Sequence, residues 1–357
     1  MSRSPILFRC DATGSQGYES FYQCLAYAAA LQRRRRGTYF LSRLSPQTLL
    51  AAIQKGGNEW RPTDHPLGCE EDLDDTLNKV RELQASAVVV ADPNVTSEYL
   101  EALAESGAMV VAIDARAGCR FPRGLLVNPL LGPNQDSYTV SPGTHLLMGS
   151  RYAFVRPFVR RMRPMRSQEP PAPFRVMVAL GDDDFRGQVL LRTKELLAVT
   201  RIEKIDVVIR AQHPAMGDLL ALVEANPERL EVVTEPAEIS LKLSRTHIAL
   251  TSGDGWSLEL ACIGIPQLML VQSPWHVMNA QRLDDEGAAL NLGDCESVSA
   301  VALRQAVQNL LSDASERATM SRRGRKLIDG RGPDRMVNAL EVMLARPAMA
   351  GDERIAA

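Results

Sequence analysis

Short apolar runs of strand length alternate with helical stretches along nearly all of the 357 residues. That alternation reads as α/β with mostly parallel sheets, because parallel strands need a crossover and a helix is the usual one. In the first half the spacing predicts strands over residues 5–10, 38–42, 87–91, 109–113 and 125–128. Helices are predicted over 16–35, 46–55, 72–84 and 97–106. The first of these places Phe21, Cys24, Leu25, Ala28 and Leu31 on one face. Gly107 is positioned to end the last of them. The composition then changes. Residues 156–166 hold five arginines and two prolines, and residues 167–173 read SQEPPAP, which is linker chemistry. A second set follows, with strands predicted over 175–180, 205–210, 230–234, 248–251 and 267–271 and helices over 256–263, 301–311, 317–328 and 335–344. The expected organisation is a first Rossmann-like unit over 1–164, a hinge over 165–173, a second unit over 174–345 and a tail over 346–357. Two such units enclose a cleft, and ligands of open α/β sheets sit at the carboxyl ends of the strands.

Composition removes other classes. With 45% hydrophobic and 24% charged residues the chain can bury a core. Lysine plus arginine is 41 against 43 acidic residues, a net charge of −2, which argues against a dedicated nucleic-acid binder. Aromatics at 5% argue against base-stacking platforms. Cys10, Cys24, Cys69, Cys119, Cys262 and Cys295 form no C-x-x-C pair, so they read as reduced thiols and not as a zinc site or a disulfide framework. The three-residue apolar run before Arg9 falls short of the roughly 7–15 residues of a signal peptide. No apolar stretch approaches the ~20 residues of a membrane span. The expectation is a soluble, cytoplasmic protein. The arginine run over 33–36 reads as a solvated helix end, with contact to a membrane surface as the sharper alternative.

The densest chemistry lies over residues 251–266, a strand, a glycine turn, a helix and then G-x-P. A glycine turn at a helix N-terminus offers free N–H groups and a positive dipole end to a pyrophosphate. Gly253 and Gly255 allow close backbone approach. Glu259, between Leu258 and Leu260 on a mostly apolar helix, is an odd place for a solvated charge. Thr251, Ser252 and Ser257 either donate to phosphate or cap the helix. Asn279 and Gln281 either face sugar or phosphate or decorate a helix start. Residues 182–184, three aspartates after a strand, either bind a metal or cap the next helix; capping is favoured, because three carboxylates repel a pyrophosphate. There is no G-x-S-x-G elbow for a serine hydrolase.

These residues resemble the donor site of inverting GT-B glycosyltransferases, two Rossmann-like domains around a cleft. They are more similar still to the UDP-2,4-diacetamido-2,4,6-trideoxy-β-L-altropyranose hydrolase family of pseudaminic acid biosynthesis. Leu146-Leu147-Met148-Gly149-Ser150-Arg151-Tyr152-Ala153-Phe154-Val155-Arg156-Pro157 resembles that family's L-L-G-x-x-Y-A-L-L-R-P stretch. Asn279-Ala280-Gln281 with Gly287-Ala288-Ala289 resembles its N-Q…G-A-A stretch, and Gly181 falls at its G-G-x-D after a strand. Residues 329–335 resemble its D-G-x-G-x-x-R ending. The resemblance implies a UDP-sugar ligand, Glu259 accepting hydrogen bonds from ribose hydroxyls, and no metal or cofactor. It also admits a sugar or lipid-linked acceptor.

The resemblance breaks in the first loop. Gly17 fits the glycine before the family's histidine, and Tyr18 stands where that histidine should be. Tyrosine, with a pKa of about 10, is a poor base at neutral pH. Glu19 is then the expected base, with Asp11 or Asp92 as alternatives and Tyr18 stacking on the sugar or donating a hydrogen bond to it. The competing expectation is a nucleotide-sugar binder or transferase subunit without catalysis. A bilobed binder of exported solutes is a third.

Overall fold

The computed structural model describes residues 3–13, 17–181, 184, 186–234 and 236–345. Among the described residues the strands are β1 Ile6–Arg9, β2 Thr38–Ser42, β3 Glu59–Pro62, β4 Ala87–Val90, β5 Met109–Ile113, β6 Arg120–Phe121, β7 Gly124–Val127, β8 Thr139–Val140, β9 His145–Leu147, β10 Phe174–Ala179, β11 Ile202–Val208, β12 Leu230–Val233, β13 Ile248–Thr251, β14 Gln267–Val271 and β15 Leu290–Asp294. The first unit's sheet runs β3-β2-β1-β4-β5-β7-β9 and the second's β12-β11-β10-β13-β14-β15, while β6 and β8 make a small ribbon. Both main sheets are parallel throughout. The order of the second sheet is that of a dinucleotide-binding fold, whose switch point falls between β10 and β13.

Burial on both faces explains the sequence of the central strands. In β4, Ala87 and Val89 enter one core and Val88 and Val90 the other. The second sheet divides likewise, with Met177 and Ala179 on one face and Val176 and Val178 on the opposite one.

The cores allot two segments differently from the expected organisation. The helix Pro157–Met162, expected in the first unit, buries Val159 and Met162 in the second unit's core. The final helix Gly332–Ala345, expected in the second unit, buries Met336, Val337 and Leu340 against the first sheet. Apolar periodicity marks these as helices but does not say which sheet they cover. The arginine run fixes the second crossing. Arg33 pairs with Asp334 at 2.5 Å, Arg34 donates to Asn338 Oδ1 at 2.8 Å, and Arg36 forms a bidentate pair with Glu341 at 2.8 and 2.9 Å. These three arginines fasten the last helix. Among the described residues no helix is long and apolar enough to cross a membrane.

The Pro-rich segment is fastened too. Arg317 Nε donates to Glu169 at 2.5 Å. His247 accepts from the Arg175 N–H on Nδ1 and faces the Pro170 carbonyl with Nε2, each at 3.0 Å. That pattern requires a neutral ring with its proton on Nε2, and burial holds the His247 pKa below its usual value. The folded state thus binds fewer protons than the unfolded one, so stability is complete above the unfolded value near 6.5 and is lost as pH falls through it. A titration of melting temperature from pH 7.5 to 5 is expected to fall more steeply for the natural chain than for His247→Gln. Equal slopes would remove His247 from this account.

Candidate functional site

A cleft of about 570 Å³ lies at the carboxyl ends of both sheets. Its size suits a small-molecule ligand, for which sites run ~300–1,000 Å³. The first unit lines it with Tyr18, Glu19 and Tyr22 near the start of the helix Glu19–Arg33, and with Asp114 and Arg116 just after β5. The second unit adds Gly181 after β10, Arg210 and Gln212 after β11, and Ser252, Asp254 and Gly255 after β13. Gln272, Trp275 and His276 follow β14.

The floor is the turn from β13 into the helix Gly255–Ile263. Asp254 caps that helix, accepting from the Ser257 N–H at 3.4 Å. Gly253 has φ +78°, and a Cβ there would lie 2.9 Å from that of Ala280. Gly181 has φ +87°, and a Cβ there would lie 2.7 Å from Asp254 Oδ2. Both glycines are therefore required by backbone shape and crowding at the switch point. Among the described residues, three polar atoms buried around this floor have no hydrogen-bond partner: Ser252 Oγ, Gln272 Oε1 and His276 Nδ1. Burial, reinforced by Arg116, lowers the His276 pKa to about 4, so the ring is neutral at physiological pH.

Two clusters join the units across the cleft. Arg156 engages Glu259 through its backbone N–H at 2.7 Å and through Nε at 2.9 Å to each carboxylate oxygen. Its guanidinium lies 4.1 Å from the Trp256 ring centre and 5.2 Å from that of Tyr22. Arg116 stacks on Trp275 at 4.4 Å. Asp114, at the end of β5, accepts the Arg116 and Ala117 N–H groups at 2.9 and 2.6 Å. Burial raises its pKa, against the lowering effect of those hydrogen bonds.

The residues named from the sequence divide sharply. Gly181, Ser252, Gly255, Glu259, Tyr18 and Glu19 line the cleft. Gly253 shapes it from behind, and Gly17, at φ +71°, shapes the first loop. Thr251 and Ser257 do not face it. Both are fully buried, with Ser257 Oγ donating to Thr251 Oγ1 at 3.1 Å and Thr251 to Gln267 Oε1 at 3.2 Å. Asn279 is buried as a bridge, donating to Gly253 O at 2.6 Å and accepting the Leu131 N–H at 2.9 Å. Gln281 is exposed on its helix and donates to Asp285 at 2.9 Å. Asp11 lies beneath the first unit's strand ends, bound by Arg9 and by the N–H groups of Arg43 and Leu67 at 3.0 and 3.1 Å. So placed, it cannot reach a substrate in the cleft. Asp92 does not line the cleft either; it accepts the Asn94 N–H at 2.7 Å. Tyr18 donates to Ser45 O at 2.9 Å and is buried. Asp184 caps the helix Gln188–Leu197, accepting from Gln188 and Val189 at 2.6 and 2.9 Å. Asp182 and Asp183, and the tail over 346–357, lie outside the described residues. Among the described residues no three His, Cys, Asp or Glu side chains cluster as metal ligands.

Asp114, Arg116, Trp275 and Gln272 were not singled out by sequence reasoning. Their only signal there was position after a predicted strand.

Two parallel Rossmann-like sheets facing each other across such a cleft define the GT-B glycosyltransferase fold, which this chain has. The spinosyn forosaminyltransferase SpnP is similar at a TM-score of 0.66 and 17% identity, covering 97% of this chain and 100% of that one. MurG of Acinetobacter baumannii gives 0.64 and 14%, covering 95% and 100%. In sequence, the spore coat polysaccharide biosynthesis protein SpsG of Bacillus subtilis is 23% identical over 243 residues, 66% of this chain and 70% of that protein. No family model matches the chain.

Proposed function

We propose that this chain binds a UDP-activated sugar in the cleft and cleaves its anomeric bond with release of UDP, in the synthesis of a surface polysaccharide. The observation that carries the reading is the trio of unpartnered buried atoms, Ser252 Oγ, Gln272 Oε1 and His276 Nδ1, set around a glycine turn at a helix N-terminus. Buried polar groups are almost always paired, so a trio of them in one cleft speaks for a polar ligand. The helix N-terminus and the Arg116 guanidinium suit a diphosphate. The role of SpsG in spore coat polysaccharide biosynthesis, and the forosaminyltransferase among the fold relatives, support a sugar.

In this reading Asp114, which lines the cleft, replaces the expected Glu19, held on the Gly255 N–H, as the base; it takes a proton from the attacking hydroxyl as that hydroxyl's oxygen bonds to the anomeric carbon. The bond from that carbon to the diphosphate breaks, and its electron pair leaves with UDP. The attacking group is a sugar acceptor, as in the fold relatives, or water, as in the resembling hydrolase family. Glu259 holds ribose only by sharing its carboxylate with Arg156.

UDP at 100 times its dissociation constant is expected to stabilise the fold by about 2.7 kcal/mol. The melting temperature should rise accordingly, and Ser252→Ala with Gln272→Leu should remove most of the rise. No shift at millimolar UDP would sink the nucleotide reading. A binder without turnover is the second reading. Tyr18 favours it, because its hydroxyl proton is committed to Ser45 O where the resembling family has a base. UDP release from candidate UDP-sugars, set beside calorimetric binding of the same compounds, separates the two.

A further inference from the structure

The N-terminus of the helix Gly255–Ile263 is already occupied by an anion, and that anion comes from the opposite unit. Glu19 Oε1 accepts the Gly255 N–H at 3.2 Å across the cleft. Gln23, one turn further along the Glu19–Arg33 helix, donates to the same oxygen at 3.2 Å and steadies it. The approach is close: a Cβ on Gly255 would stand 2.6 Å from Glu19 Oε1. Independently, Ser252 Oγ, almost fully buried and without a partner, lines the cleft in the same turn, three residues before Gly255. The turn therefore has a polar position waiting for a ligand and an N–H position filled by a carboxylate.

We infer that Glu19 is a surrogate for the ligand's phosphate and thereby sets the cleft's affinity for a nucleoside diphosphate relative to the nucleoside. This rests on the nucleotide-sugar reading above. A carboxylate at a helix N-terminus gains from the free N–H groups and the dipole as a phosphate does, so the two compete for one place. A diphosphate supplies an anion that replaces Glu19 and adds a contact to Ser252 Oγ. A nucleoside supplies none and binds with Glu19 still in place. Glu19 thus costs the diphosphate affinity and costs the nucleoside nothing, and the displaced carboxylate frees the first unit from the second at this contact. Glu19 acts here as a positioning residue.

The test is calorimetric titration of UDP and of uridine into the natural chain, Glu19→Gln and Glu19→Asp. Glu19 is exposed and the variants give up its contact with Gly255, so they are expected to stay folded, with a melting temperature slightly below the natural one. Glu19→Gln should tighten UDP by about two- to fivefold, the range of a surface charge at a helix terminus, and leave uridine unchanged. Glu19→Asp keeps the charge but is one methylene too short for the contact, and it should tighten UDP as well. If aspartate behaves like glutamate while glutamine tightens UDP, the effect is plain charge repulsion and the surrogate role is wrong. Unchanged or weaker UDP binding in Glu19→Gln overturns it equally, with the nucleotide reading intact. If UDP binds none of the three proteins, the nucleotide reading falls and this inference with it.

Discussion

Asp114→Asn is expected to slow UDP release from the UDP-sugar by about 10²–10⁴-fold, the usual worth of a general base, and to change UDP affinity little. The side chain follows β5 into the cleft. The N–H groups of Arg116 and Ala117 hold Oδ1 and would hold the asparagine oxygen equally, so the substitution removes basicity and keeps the turn. Burial raises the Asp114 pKa, and a base must be ionised to act. Activity should therefore rise with pH along a limb lying above the ordinary aspartate value of about 3.9. The asparagine variant should lack that limb. Full turnover in Asp114→Asn would hand the role to another group, and Glu19→Gln in the same assay would then identify or exclude the neighbouring carboxylate.

The largest effect on stability is expected from Arg9. It lies on β1 with no solvent exposure and joins two buried carboxylates, Asp11 and Asp72, donating to the latter at 2.5 Å. Tyr99 donates to Asp72 as well, at 2.8 Å, and Arg9 reaches the carbonyls of Leu41 and His65 at 3.3 and 3.1 Å. Burial alone would lower the Arg9 pKa; the two carboxylates more than offset this and raise it. Arg9→Met leaves both acids buried without their cation, a loss of about 3–5 kcal/mol. Denaturant unfolding followed by tryptophan fluorescence at Trp60, which packs against the first core, measures it. A loss under about 1 kcal/mol would mean that water or another cation replaces Arg9.

This network also shows where reading the sequence stops. Asp11 and Asp114 each follow a strand of the first sheet, and nothing local distinguishes them. Arg9, two residues from Asp11, and Asp72, 61 residues on, together turn Asp11 into structure, while Asp114 opens into the cleft. The central strands were legible because burial on both faces writes a continuous apolar run, as in residues 87–91. The edge strands β3, with the sequence EWRP, and β15, LNLGD, carry no such run, because an edge strand is only partly covered. The glycine turn over 252–255 was legible because its backbone shape demands glycine. Glu259 was legible as a buried charge, but its partner Arg156 lies 103 residues away on the segment that joins the units. The same distance problem hid the return of the last helix to the first sheet.

The central claim is that the turn at Ser252–Gly255 receives a nucleoside diphosphate, and a crystal structure with UDP tests it directly. The account predicts phosphate oxygens within about 3.2 Å of Gly255 N and Ser252 Oγ, hydrogen-bond range, with the Glu19 carboxylate turned away from Gly255. An empty cleft at saturating UDP, or a nucleotide bound elsewhere with Glu19 still on Gly255, would contradict it.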